Sequence, residues 1–258
     1  MSIVTNKMKS INIGLLSAMP EEIGSTIENL ENVTFKEYGD LKIYYGKLKK
    51  KVPNYESVYI TLAWSGWGKV SAARAITRIL AGINKIDLII FTGVAGAANK
   101  NLSQWDIVIA NEVIQHDMDA RPIFKRFVLP PLKKARLASD NFLKDWIFSS
   151  LTKSLKNQKL IGFGKINMGL IATGDSFISD ESIIKSLKDE IPDLEAIEME
   201  GGAVAQVAEQ EGVPWAIVRV ISDSADSNSE MDFDRFLKDY VLNSWKLLDC
   251  LLEDIPKI

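Results

Sequence analysis

Asp87-Leu88-Ile89-Ile90-Phe91-Thr92, running directly into Gly93-Val94-Ala95-Gly96, is a continuous apolar run closed by small residues and glycines. A strand with one wet face alternates apolar and polar side chains. A run without alternation therefore predicts a strand buried on both faces, here followed by a tight turn. Upstream, residues 11–17 are apolar and β-compatible, and Met19-Pro20-Glu21-Glu22 reads as a helix opening. Pro20 suits a first helical turn, where its missing N–H costs nothing, and the two acids lie near the positive end of the helix dipole. Segments near 41–48 and 57–64 look like hairpin strands. Gly68 leads into residues 69–81, where Val70, Ala73, Ile76, Thr77 and Leu80 fall at helical spacing. The alternation continues downstream: a strand over 106–115, a long connection over 117–139, a helix over 140–153 and a strand-like 160–173. A helix over 180–190, stopped by Pro192, precedes a short strand and a helix over 198–211. A buried strand over 214–222 and a terminal helix over 232–253 complete the chain. Strands alternating with helices predict the α/β class: a single domain with a central mixed, largely parallel twisted sheet flanked by helices. Residues 1–10 read as an N-terminal extension and 11–258 as the domain.

The 258 residues carry 31 Lys+Arg against 34 Asp+Glu, with one His and one Cys. At ~150 residues per domain this is one large domain or two small ones, and no linker breaks the pattern. The net charge of −3 gives no broad drive toward nucleic acid or an anionic membrane. Cys250 alone cannot form an internal disulfide or a multi-Cys zinc site, and His116 alone excludes a site needing two imidazoles. The longest uncharged runs, such as residues 88–99, are about a dozen long, short of the ~20 that a membrane span needs. Lys7 and Lys9 before the apolar residues 11–19 resemble a signal peptide, but the stretch is short, contains Asn12 and reads better as a first strand. A cytoplasmic location is expected, in keeping with the cysteine usage.

Several motifs fail. Ser65-Gly66-Trp67-Gly68-Lys69-Val70 looks like a phosphate loop, yet that pattern needs Gly at 63 and Ser or Thr at 70, where Ala63 and Val70 stand. Gly162-Phe163-Gly164 lacks the third glycine of a dinucleotide fingerprint. His116-Asp117-Met118-Asp119 is a poor metal set, and no Gly-x-Ser-x-Gly elbow is present. The 117–139 connection carries Arg121, Lys125, Arg126, Lys133, Lys134 and Arg136, and loops of this length are often lids or interface segments.

In an open α/β sheet ligands bind beyond the C-terminal ends of the strands. Glu22, Glu198-Met199-Glu200 and Ser222-Asp223 all fall at such ends, as does Thr173-Gly174-Asp175-Ser176-Phe177-Ile178, and Arg219 lies on the strand before Asp223. Carboxylates converging without metal ligands suit acid–base work on a glycosidic bond: one protonates the leaving group while another activates water. The pattern alone equally fits helix caps and salt bridges.

Seven blocks, in order, narrow this choice. They are residues 13–22, Ser65-Gly66-Trp67-Gly68-Lys69-Val70, Phe91-Thr92-Gly93-Val94-Ala95-Gly96, Gln115-His116-Asp117, Gly174-Asp175-Ser176-Phe177-Ile178, Ile197-Glu198-Met199-Glu200-Gly201 and residues 218–226. Together they resemble the 5′-methylthioadenosine/S-adenosylhomocysteine nucleosidases, over residues 11–255. The resemblance implies a nucleoside-phosphorylase-like fold and hydrolysis of the N-glycosidic bond of 5′-thio-substituted adenosines. It implies that Asp223 protonates N7 of adenine, that Glu22 holds and activates water, and that Glu200 binds the ribose hydroxyls with Arg219 orienting the acids. An aspartic acid in that role requires burial or a neighbouring negative charge to raise its pKa. Ile178 would pair through its backbone with the adenine edge and Phe177 would stack on its face, with Ser222 beside the acid. Met199 would lie under the ribose, while Met19, Phe233 and Trp67 would line the sugar and thioether end. Val94 stands where many members carry Ser, whose hydroxyl helps to orient the acid. The resemblance also implies a two-fold homodimer in which the 117–139 segment reaches the neighbouring subunit. No metal, organic cofactor, nucleic-acid or membrane partner is expected.

Rival readings are hydrolysis of another adenine nucleoside such as 6-amino-6-deoxyfutalosine, phosphorolysis, and non-catalytic nucleoside binding. A phosphorylase needs Gly, Arg and Ser around the dianion, whereas the first strand here leads to Glu21 and Glu22, which would repel it.

Overall fold

The computed structural model describes residues 8–223 and 229–258. Lys7 and residues 224–226 of the last sequence block lie outside the described residues. The described residues fold as ten strands in one mixed sheet with helices on both faces. In chain order the elements are β1 (Met8–Ser17), β2 (Leu30–Tyr38), β3 (Leu41–Leu48), β4 (Tyr55–Trp64), α1 (Lys69–Leu80), β5 (Leu88–Ala97), β6 (Ile107–Gln115) and β7 (Arg136–Ala138). They continue with α2 (Asn141–Lys156), β8 (Ile166–Thr173), α3 (Glu181–Glu190), β9 (Leu194–Glu198), α4 (Gly201–Gln210), β10 (Trp215–Asp223), α5 (Ser229–Tyr240) and α6 (Ser244–Glu253).

β5 is the hub. It pairs in parallel with β1 and β10 and antiparallel with β9. β10 pairs antiparallel with β6, β6 in parallel with β8, and β8 in parallel with β9, so five strands close a ring. From the ring, β1 carries the sheet outward in parallel to β4, and β3 and β2 add antiparallel. Nine of the ten β5 residues are buried, as a strand covered on both faces requires. One apolar core packs α2, α5 and α6 on one face. A second packs α1 and α4 on the other, where the Gly201-Gly202-Ala203 start of α4 is buried throughout. Asp140 and Asp180 cap α2 and α3 through their carboxylates, accepting from Leu143 N at 3.1 Å and Ser182 N at 2.7 Å.

Several sequence expectations change. Pro20–Glu22 is a 3-10 turn followed after Ile23 by a second 3-10 stretch, Gly24–Asn29, so the helix opened at Pro20 is not an α-helix. β5 does not turn at Gly93 but runs on to Ala97. The strand predicted over 160–173 begins only at Ile166. The end of the 117–139 connection forms β7 against β6. The terminal helix is two helices. At the break the buried Ser244 hydroxyl donates to the Glu21 carbonyl at 3.1 Å, docking α6 beneath the Pro20 turn. β2 was not foreseen: its side chains are almost all exposed, so it carries little hydrophobic signal. Among the described residues no helix is long and apolar enough to cross a membrane, and no group of three metal-ligating side chains is present.

Candidate active site

The C-terminal ends of β1, β4, β5, β8, β9 and β10 converge on one cleft, adjoined by a smaller lobe. The larger lobe is lined by Met19, Glu22, Trp67, Val94, Phe177, Met199, Glu200, Ser222, Asp223 and Phe233. Ile178 lines the smaller lobe, which shares Phe177, Met199 and Asp223 with its neighbour. Arg219 is fully buried and lines neither lobe. A roomier cavity at the opposite end of the strands, lined by Tyr55, Lys85 and Asp87 among others, holds no such convergence. The Asp87 carboxylate there is occupied by the Asn12 N–H at 2.9 Å.

The Pro20 turn aims Glu22 inward, where it is 1% exposed. Its Oε2 accepts from Ala18 N at 2.8 Å and Met19 N at 2.9 Å, and Oε1 accepts from Val94 N at 2.9 Å. A carboxylate has about four lone-pair sites, so these three donors leave one unfilled. Burial raises the Glu22 pKa, against the opposing pull of Arg219 and the three N–H donors. Val94 thus serves through its backbone, which its apolar side chain does not affect.

Arg219 stands behind the acids. Its Nη2 is paired with Glu198 Oε2 and lies 3.9 Å from Glu200 Oε2, and its guanidinium sits over the Phe91 ring at 4.0 Å. A Cβ at position 93 would overlap both Arg219 Nη1 and Glu22 Oε1, so Gly93 provides room for a close charge approach rather than a turn. Glu198, which the sequence places among the strand-end carboxylates without a role, is the partner of that cation. Besides Arg219 it accepts from Glu200 N at 3.1 Å and Gly201 N at 2.7 Å, and Thr173 Oγ1 donates to it. It therefore fixes both the cation and the backbone that carries Glu200. The available signal was the Glu-x-Glu spacing opposite a buried-strand Arg, because a buried cation needs a partner.

Glu200 accepts from Gly68 N at 2.7 Å. Burial, with Glu198 adding repulsion, pushes its pKa up to about 8, against the opposing effects of Arg219 and the Gly68 N–H. The folded protein therefore holds a proton that the unfolded chain, titrating near 4.5, releases. This stabilising contribution is fully present below the unfolded value and is lost as pH rises toward 8. Glu200→Gln should consequently melt a few degrees above the parent at about pH 8.5, with the gap closing by about pH 5. A gap of equal size at both pH values in calorimetry would contradict this.

Asp223 ends β10, is 5% exposed, and accepts from the Ser222 hydroxyl at 2.7 Å. The rim is aromatic: Trp67 meets Phe233 edge-on at 6.1 Å, and Phe233 meets Phe177 at 5.9 Å. Phe177 and Trp67 are 43% and 53% exposed, leaving ring surface for a ligand. In the 117–139 segment most of the basic charge is already matched: Arg121 with Asp119, Arg126 with Glu190, Lys134 with Glu209, and Arg136 with Glu112 and Asp193.

This assembly has clear relatives. The profile of the phosphorylase superfamily matches residues 12–253. A 5′-methylthioadenosine/S-adenosylhomocysteine nucleosidase of Anoxybacillus flavithermus is 33% identical over 247 residues, 96% of this chain and 100% of that one. The Neisseria meningitidis enzyme of the same name, solved with methylthio-immucillin-A, superposes with a TM-score of 0.82 at 32% identity, covering 94% and 98% of the two chains. Futalosine hydrolase of Helicobacter pylori superposes at 0.81 with 27% identity, covering 95% and 98%. With its superfamily profile spanning nearly the whole domain and relatives above 30% identity matched end to end, the chain belongs to the phosphorylase superfamily and, within it, to the family of the 5′-methylthioadenosine/S-adenosylhomocysteine nucleosidases.

Proposed function

We propose that the protein hydrolyses the N-glycosidic bond of 5′-methylthioadenosine and S-adenosylhomocysteine, releasing adenine and the 5′-thio-substituted ribose. The observation that carries this reading is the convergence of buried Glu22, Glu200 and Asp223 on one aromatic-rimmed cleft. Adenine occupies the smaller lobe, stacked on Phe177 and paired with the Ile178 backbone. Asp223, held by the Ser222 hydroxyl, donates its proton to N7 so that the base leaves neutral. The sugar takes on positive charge as the bond breaks, and the acids around it favour that charge. Glu22 uses its open lone pair to hold and orient the attacking water, and its raised pKa suits proton acceptance. Glu200 binds the ribose hydroxyls, Arg219 keeps the acids in register, and Met199 lies under the sugar. Met19, Phe233 and Trp67 take the thioether, which has no strong donor or acceptor to satisfy. The protein is assigned to the cytoplasm as a homodimer.

Adenine release from 5′-methylthioadenosine and S-adenosylhomocysteine, measured with and without phosphate, tests the reading. Phosphate-independent release supports hydrolysis. A requirement for phosphate with formation of a sugar 1-phosphate would make it a phosphorylase. The similarity to futalosine hydrolase supports 6-amino-6-deoxyfutalosine as a second substrate for the same assay. Trp67→Ala should raise KM for 5′-methylthioadenosine about fivefold with kcat nearly unchanged, because the ring supplies uniform apolar binding. An unchanged KM would remove Trp67 from the thioether end.

A further inference from the structure

Three loops around the cleft are tied together by a cluster that lies outside the catalytic acids. Lys69, the first residue of α1, points its ammonium at Asp117 Oδ1, 2.6 Å away, in the loop after β6. Its backbone N–H donates to Asp175 Oδ1 at 2.8 Å, in the loop after β8. Asp175 N in turn donates to Asp117 Oδ2 at 3.0 Å, and Asp175 Oδ2 lies 3.9 Å from the Lys69 ammonium. The triangle is closed: each of the three residues contacts the other two. Gly68, the neighbour of Lys69, has φ of 89°, a left-handed conformation that glycine adopts without strain. A Cβ there would crowd Asp175 Oδ1 at 3.0 Å. That conformation aims the Gly68 N–H at Glu200 Oε1, 2.7 Å away.

Resting on the proposed nucleosidase reading, we infer that the Asp117–Lys69–Asp175 triangle is a positioning device. It holds the Gly68 N–H on Glu200 and thereby fixes the carboxylate that grips the ribose hydroxyls. The ion pairs are partly exposed, with side-chain exposures of 19%, 33% and 49% for Lys69, Asp117 and Asp175. Pairs so placed contribute little to stability, so geometric control is the more consequential effect of keeping all three. Loss of the triangle therefore reaches the sugar through Glu200 while leaving the acid and the water-holding residue in place.

The test is Lys69→Met, with Asp117→Asn as a second variant that keeps an acceptor for Asp175 N but removes the charge. Lys69→Met is expected to raise KM for 5′-methylthioadenosine about tenfold, lower kcat by no more than about threefold, and leave adenine affinity within about twofold. Wild-type discrimination against the 3′-deoxy analogue should shrink in the variant, because the hydroxyl contact is what the triangle positions. Lys69→Arg, which retains the charge, should restore most of the KM. Unchanged KM and unchanged discrimination in both variants would overturn the inference, as would an equal loss of adenine affinity, which would mean general damage to the pocket. Wild-type protein that releases no adenine from 5′-methylthioadenosine would instead strike the functional reading itself.

Discussion

Asp223→Asn is expected to lower kcat for adenine release from 5′-methylthioadenosine by about 10³-fold, within the range general-acid catalysis contributes. Asn has nearly the shape of Asp, and its amide oxygen can still accept the Ser222 hydroxyl now donated to Oδ2 at 2.7 Å. What it lacks is an acidic proton. Adenine would then have to depart as an anion, a far poorer leaving group. The binding surface is otherwise intact, since Phe177 and the Ile178 backbone are untouched. Adenine affinity measured by calorimetry should therefore stay within about threefold of wild type, because transition-state and ground-state binding separate cleanly at this residue. A rate near wild type would remove Asp223 from the role of acid. A parallel collapse of adenine binding would assign it a structural role instead.

How the sequence foretold this site depends on what each residue's signal measures. The strand cores were legible because burial on both faces writes itself as an unbroken apolar run, as in β5 and β10. The acids were legible by position, at strand ends, and acquired roles only through the resemblance. Gly93 was misread as a turn because glycine has two uses: freedom of backbone, and absence of a Cβ. Only the three-dimensional approach of Arg219 and Glu22 reveals the second. Glu198 was legible as a strand-end acid but not as the partner of Arg219, which lies 21 residues away, because a long-range ion pair leaves no local spacing to detect. The break between α5 and α6 carries no Gly or Pro. It is set by the docking of Ser244 onto the Pro20 turn, a tertiary contact with no local signature. The basic 117–139 loop suggested a charged surface, yet its cations largely meet acids supplied by β6, α3, α4 and the segment before β9. Val94 offers no hydroxyl to orient Asp223, as the sequence implies, and position 94 serves the site in a different way. The bond that reaches Glu22 comes from the backbone N–H, which every residue type except proline supplies.

Arg219→Met should be the most destabilising single change in the site. The methionine side chain fills much of the arginine volume and can still pack on Phe91, so cavity formation is a minor part of the effect. The dominant part is electrostatic. Glu22, Glu198 and Glu200 are 1%, 6% and 5% exposed, and Arg219 is the cation set among them. Removing one partner of a buried charge cluster costs about 3–5 kcal/mol, because the remaining charges keep their desolvation penalty without compensation. For a chain of this size that corresponds to roughly 10 °C in Tm. The loss should also depend on pH in a defined direction. Without Arg219 the folded-state pKa values of Glu22 and Glu200 rise further above their unfolded values. The folded state then binds more protons than the unfolded state, so the variant's stability must fall as pH rises from near 5 through the neutral range. The wild-type protein, with the guanidinium in place, should show a shallower decline over the same window. Thermal melts of both proteins across that window measure the difference directly. A variant that is destabilised equally at every pH would show that Arg219 acts through packing on Phe91 rather than by neutralising the acids.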